Sequence, residues 1–310
     1  MKNPFILSML IIGSVFFPLF SSADYIDPST VNVSTESYKP SFTDFAEGTY
    51  QYDIKWQGLQ VANGIVQVES AVKESNKMYA VEAKANTSKL IDVLYKLRHT
   101  SGSEFDGETL RPIKFHSVQT ENSKSKKTDI YFREDGHISS VSMKNGKVEN
   151  RHEFASSNLT LDPISAAFLA RSIPVNVGST AEFDVFNGKN RFLISFRVDS
   201  LEKVVLPGSD VAKDAFKVIP SVKKLTDTEG ETRFRKAEIW ISADEKRDVL
   251  KVESEVLVGK VSAFLKSFDP VGSFEKPGNH DLSKPEELSI AKNLHKQSRD
   301  SSRASLGHVE

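Results

Sequence analysis

Alternation with a period of two constrains this chain more than any other feature. Tyr50, Tyr52, Ile54 and Trp56 alternate with Gln51, Asp53 and Lys55, as a strand with one buried face requires. Ile130 and Phe132, then Phe192, Ile194, Phe196 and Val198, then Val252, Val256 and Val258 repeat the pattern. Five dipeptides punctuate such runs: Asn63-Gly64, Asp106-Gly107, Asp135-Gly136, Asn145-Gly146 and Asn187-Gly188. These residues reach the positive φ of tight hairpins. The pattern predicts hairpin after hairpin: a mainly β fold of antiparallel meander sheets, with almost no room for the helices that parallel strands need.

Two stretches read differently. From Leu161 to Arg171, Asp162 can cap free amides, Pro163 suits the first helical position, and Pro174 stops the run. A helix over 162–171 is expected to join two β lobes, 45–158 and 175–268, or to cross one curved, barrel-like sheet. From Lys89 to Arg98, Leu90, Leu94 and Leu97 share one side of a helix while Ile91 and Val93 blur the period, so helix and irregular strand stay open. A weak repeat supports two lobes: Lys127 to Phe132 resembles Lys236 to Ile241, each followed three residues later by an aspartate, Asp135 or Asp244.

The ends have another character. Lys2, the apolar stretch Phe5 to Phe20 and the small residues Ser21-Ser22-Ala23 predict a signal peptide over residues 1–23, cleaved before Asp24. The apolar run is shorter than the roughly 20 residues that cross a bilayer. Residues 24–44, rich in Ser, Thr and Pro, read as a spacer, 45–268 as the β domain, and 269–310 as a disordered polar tail in which Glu286 to Lys296 can form a short amphipathic helix. A periplasmic protein with no membrane-spanning segment after cleavage is expected. The chain has no cysteine, so lipidation, disulfides and thiolate metal sites are not expected. Its 41 basic and 42 acidic residues point away from nucleic acid as a partner.

Signatures of chemistry are missing. There is no phosphate-binding loop, zinc-protease helix or nucleophile elbow, and no two of the 7 histidines have the close spacing of a metal-binding helix. Asp227-Thr228-Glu229-Gly230 faintly resembles a calcium loop, but Leu225 at its first position offers no carboxylate, and a turn is the better account. No catalytic residue, metal or cofactor is assigned. The candidate ligand contacts are Asp162, Ser165 and Arg171 on the helix, together with Trp240. A structural reading competes: Asp162 caps the helix and Arg171 complements its C-terminal end. On the functional reading, Arg171 lies at a cleft and pairs with an anionic group of a ligand.

Thr109-Leu110-Arg111-Pro112 after Asp106-Gly107, Leu161 to Ala166 with Arg171, Ile239 to Asp244 with Arg247, and Gly259-Lys260-Val261-Ser262-Ala263 occur in this order. Together they resemble the bacterial exported proteins grouped as domain of unknown function 3108, over about residues 45 to 266. The resemblance implies an envelope protein with a mainly β fold and no established activity.

Three functions compete. The first is a non-catalytic envelope module binding a lipid, an amphipathic molecule or an envelope polymer, motivated by the compartment and by 20 Phe, 7 Tyr and 2 Trp on strands that can curve around a ligand. The second is a structural or assembly partner of envelope proteins, acting through a strand edge or the tail. The third is a hydrolase with an unrecognised site. An outer-membrane barrel is disfavoured by Pro112, Pro163, Pro174, Pro207 and Pro220 and by the polar stretch after Phe268.

Overall fold

A computed structural model describes residues 40–271, apart from 74, 226–232, 235 and 257–258, together with residues 20, 21, 27 and 31. The turn at Asp227 to Gly230 and the expected tail beyond Val271 lie outside the described residues. So do Val258, nearly all of the expected signal peptide and most of the spacer. Asp269 and Pro270, expected to open the tail, close the last strand by pairing with Thr49 and Gly48.

Among the described residues, fifteen strands form one sheet. The first eight are β1 (Gly48–Trp56), β2 (Leu59–Lys73), β3 (Asn76–Thr87), β4 (Leu97–Asp106), β5 (Pro112–Glu121), β6 (Lys124–Phe132), β7 (His137–Lys144) and β8 (Lys147–Ala155). The rest are β9 (Thr160–Leu161), β10 (Thr180–Phe186), β11 (Arg191–Val205), β12 (Ala212–Lys224), β13 (Ala237–Ser242), β14 (Val249–Glu255) and β15 (Lys260–Pro270). A helix of four residues, α1 (Lys89–Asp92), links β3 to β4, and α2 (Pro163–Ser172) follows β9. Separately, Phe20–Ser21 pairs with Arg233–Phe234.

Neighbours in sequence are neighbours in the sheet except β8 and β9, which form its two edges, and β15 pairs antiparallel with β1. The sheet therefore runs β9 to β15 and on through β1 to β8. The two expected lobes are halves of this one sheet, joined through the β15–β1 ladder. The parallel pair is β9 with β10, and α2 is the crossover between them, the connection a parallel pair demands.

Four of the five expected turn dipeptides lie at turns or loops. Asn63-Gly64 does not: it sits inside β2, opposite Asp53 and Tyr52 on one side and Asn86 and Ala85 on the other. The hairpin falls earlier, at Gln57-Gly58, where φ is 49° and 84°. Ladders on both sides hold Asn63 in extended backbone against its turn preference. In the ambiguous stretch after Thr87 the helix ends at Asp92, and Leu97 already opens β4. Leu90, Val93 and Leu94 are exposed there.

The sheet curls because both of its ends pack onto the same interior. The turn between β10 and β11 lies on β6 and β7: the Ser140 hydroxyl donates to the Gly188 carbonyl at 2.9 Å, and a Cβ built on Gly188 would stand 2.3 Å from Thr128 Cγ2. Gly188 also has φ +90°, a conformation glycine adopts without steric cost. Phe154 on β8 meets the edge of the Phe186 ring on β10 at 5.1 Å. Fully buried Asp184 binds the Arg191 guanidinium and accepts from Asn158 and Thr160, while Arg191 reaches Ser156 at 2.7 Å and lies over the Phe154 ring. The curl stops short of closure, since β8 and β9 share no ladder.

Inside the curl lies the main core. Phe168 of α2 packs against Phe45 and Phe105 with ring centroids 4.7 and 5.3 Å away, and Tyr79 and Phe183 are fully buried in the same cluster.

Candidate functional site

Helix α2 is fixed at both ends by the residues singled out from sequence. Asp162 is its N-cap, with one carboxylate oxygen accepting from the amides of Ile164 (2.7 Å) and Ser165 (3.1 Å) and the other from the Ser103 hydroxyl of β4 (2.6 Å). The Asp162 amide donates to the Ser165 hydroxyl, which completes a capping box. Burial pushes the Asp162 carboxyl up to about 6 against the pull of these bonds. At the other end Arg171, 7% exposed, donates to the carbonyls of Arg247 (2.7 Å) and Lys246 (3.1 Å) and to Asp248 (3.3 Å). The helix is thereby tied to the turn between β13 and β14.

These bonds consume the polar groups of Asp162 and Ser165 in holding α2. Arg171 does the same work and also lines two cavities. Trp240 lies elsewhere. Alternation along β13 turns Ile239 and Ile241 toward the cavities and Trp240 to the other face, where its indole N–H donates to Glu202 at 2.8 Å and Lys251 lies 4.2 Å from its ring.

Between α2 and the interior face is an apolar chamber of about 180 Å³, walled by Val66, Val81, Ala83, Ile239, Val252 and Ala263, with Tyr50 and Tyr52 alongside. A second, of about 110 Å³, continues beside Val175, Phe196, Val198 and Val218. Ala167, Arg171, Ile239 and Val249 line both. The void has a local cause: α2 presents Pro163, Ala167 and Ala170 to the chambers, and Ala83, Ala237 and Ala263 face them from the sheet. Ala167 is exposed although its helix lies within the curl, because it faces the space of both chambers.

A third chamber, of about 140 Å³, is polar and lies on β4 to β6, lined by His99, Ser117, Gln119, Lys126, Thr128 and Asn187 among others. It shares Pro163 with the first. His99 is buried without a hydrogen-bond partner at either ring nitrogen, and burial lowers it to about 4, so it is neutral at ordinary pH. None of these polar residues was singled out from sequence. The available signal was the interior row of β4, Leu97, His99, Ser101, Ser103 and Phe105, which carries polar residues where a core strand carries apolar ones. No group of histidines and carboxylates able to hold a metal occurs among the described residues, and no helix there is long and apolar enough to cross a membrane.

Fold and site define a mainly β protein in which one large, unclosed, mostly antiparallel sheet wraps a helix and leaves chambers beside it. The chain belongs to the family described as "Protein of unknown function (DUF3108)", which matches residues 51–266. No curated protein matches it significantly. Among solved structures it is similar to a beta-barrel-like protein of domain of unknown function 1849 from Brucella abortus, at 10% identity and TM-score 0.49, covering 74% of this chain and 99% of that one. It is also similar to a candidate lipoprotein from Parabacteroides distasonis at 12% identity and TM-score 0.35, covering 75% and 99%. A candidate exported protein from Bacteroides fragilis follows at 11% identity and TM-score 0.34, covering 74% and 99%.

Proposed function

We propose that the protein is an exported, non-catalytic module of the cell envelope that binds an apolar or amphipathic molecule in the chambers beside α2. The observation that carries this reading is the exposure of Ala167 within the curl, where a helix facing its own sheet would ordinarily bury large side chains. A cavity with apolar walls of ~150 Å³ is of the kind that stays dry and takes up a small hydrocarbon. The larger chamber, about 180 Å³, exceeds that size and shares four lining residues with a second. The signal peptide expected from sequence supports a periplasmic location.

N-phenylnaphthylamine fluorescence tests the reading on the full mature chain. The dye should brighten and shift to the blue as it enters the chambers. Ala167→Phe, which fills the space where the two apolar chambers meet, should abolish the change while leaving the circular dichroism intact. Dye response equal in the variant and the parent would contradict it.

A further inference from the structure

The polar chamber contains groups that the sheet does not need. His99 is 9% exposed and faces the chamber, with both ring nitrogens unpartnered. A neutral imidazole has one donor and one acceptor to satisfy, and burying both unmet is costly. Lys126 on β6 lines the same chamber and stands directly opposite Lys144 on β7, and like charges directly opposite in an antiparallel pair are destabilising. A third lysine, Lys189 from the turn between β10 and β11, acts electrostatically on Lys126. Lys126 is exposed at its surface, yet partial desolvation first, then Lys189 and Lys144, lower its pKa, against Glu149, whose opposing effect exceeds that of either lysine. Glu149 also lies 3.8 Å from Lys144.

The chamber's lining thus holds one lysine and a buried neutral imidazole, with Lys189 two residues beyond the lining residue Asn187, an arrangement that suits an anion. Around them the other polar side chains are already oriented: the Thr128 hydroxyl is bonded to Ser142, and the Gln119 amide to Glu121. Pro163 forms part of both this wall and that of the larger apolar chamber.

We propose that the polar chamber is a head-group subsite that takes the phosphate or carboxylate of an anionic amphiphile whose chain lies in the apolar chamber beside α2. The proposal rests on the reading of the apolar chambers as a ligand site. Lys126 and Lys189 supply charge to the anion, and the His99 N–H donates a hydrogen bond to it. The hydroxyl of Ser117 offers a second donor.

Calorimetric titration of the full mature chain with decyl phosphate, decanol and inorganic phosphate separates the two claims. Decyl phosphate should bind about tenfold more tightly than decanol, as a charge-assisted contact predicts, and inorganic phosphate far more weakly than either. The double variant Lys126→Met, Lys189→Met should lose the preference for decyl phosphate and keep the parent's affinity for decanol. Because it relieves like-charge repulsion, it should melt no lower than the parent. Equal affinity for decyl phosphate and decanol in the parent would overturn the head-group subsite and leave the apolar site standing. Binding of neither would overturn both. Inorganic phosphate binding as tightly as decyl phosphate would overturn the amphiphile and assign the chamber to a free anion.

Discussion

Arg171 was open to two readings in the sequence; in the structure it ties α2 to the β13–β14 turn and also lines both apolar chambers. Its guanidinium satisfies the carbonyls of Lys246 and Arg247 and neighbours Asp248 in a buried pair, so Arg171→Ala leaves a buried carboxylate without its partner. A loss of about 3–5 kcal/mol follows for such a truncation, measurable by urea unfolding. Asp162 and His99 have opposite pH signatures. The Asp162 carboxyl is raised to about 6, so its contribution to stability is present below its unfolded value near 4 and is lost as pH rises through 6. Relative to the parent, Asp162→Asn, which retains a capping side chain, should gain about 3 kcal/mol of stability between pH ~4 and ~6. His99 is lowered to about 4, so its contribution is present above about 6.5 and is lost as pH falls through 4. His99→Phe should therefore become more stable relative to the parent on acidification over that window. Denaturation midpoints across the pH range check both, and flat differences would contradict the burial of these groups.

At the scale of elements, strands and the central helix were legible because each advertises a local rule. Asp162-Pro163 is an N-cap and a first-position proline, and α2 begins where they place it. Asp135 and Asp244, the two aspartates of the weak repeat, make the same turn contact in the structure, each accepting from the amide two residues on, of His137 or Lys246. Asn63-Gly64 misled because its turn preference is local, whereas its ladders to β1 and β3 are not. What α1 lacks is length: four residues make one turn, and short helices are held by packing rather than by propensity. Which contacts hold the curl was not legible, since they join residues remote in sequence. Gly188 reports on it directly: Gly188→Ala, forced against Thr128 at positive φ, should cost about 1–3 kcal/mol and raise amide exchange on β6, β7 and β10 above that on β1 to β3. Uniform exchange along the sheet would show that the two ends are not held together there.

Over the whole molecule, the alternation predicted a mainly β chain, and one sheet of fifteen strands is its outcome. The sequence alone left open whether the interior is filled or hollow, because the same apolar residues serve as core and as lining. The difference lies in where small residues coincide: Ala83, Ala167, Ala237 and Ala263 come from four elements and meet around one space. Polar residues at interior positions of β4 to β7 add a wet wall next to the dry one. The function proposed above assigns this interior to an amphiphile of the envelope. Native mass spectrometry of the protein purified from its own cells without detergent, with an organic extract of the same sample analysed for lipids, tests this most directly. The account predicts a stoichiometric bound molecule with an apolar chain and an anionic head, released on unfolding. An empty, monodisperse protein that also stays empty when incubated with decyl phosphate would contradict it.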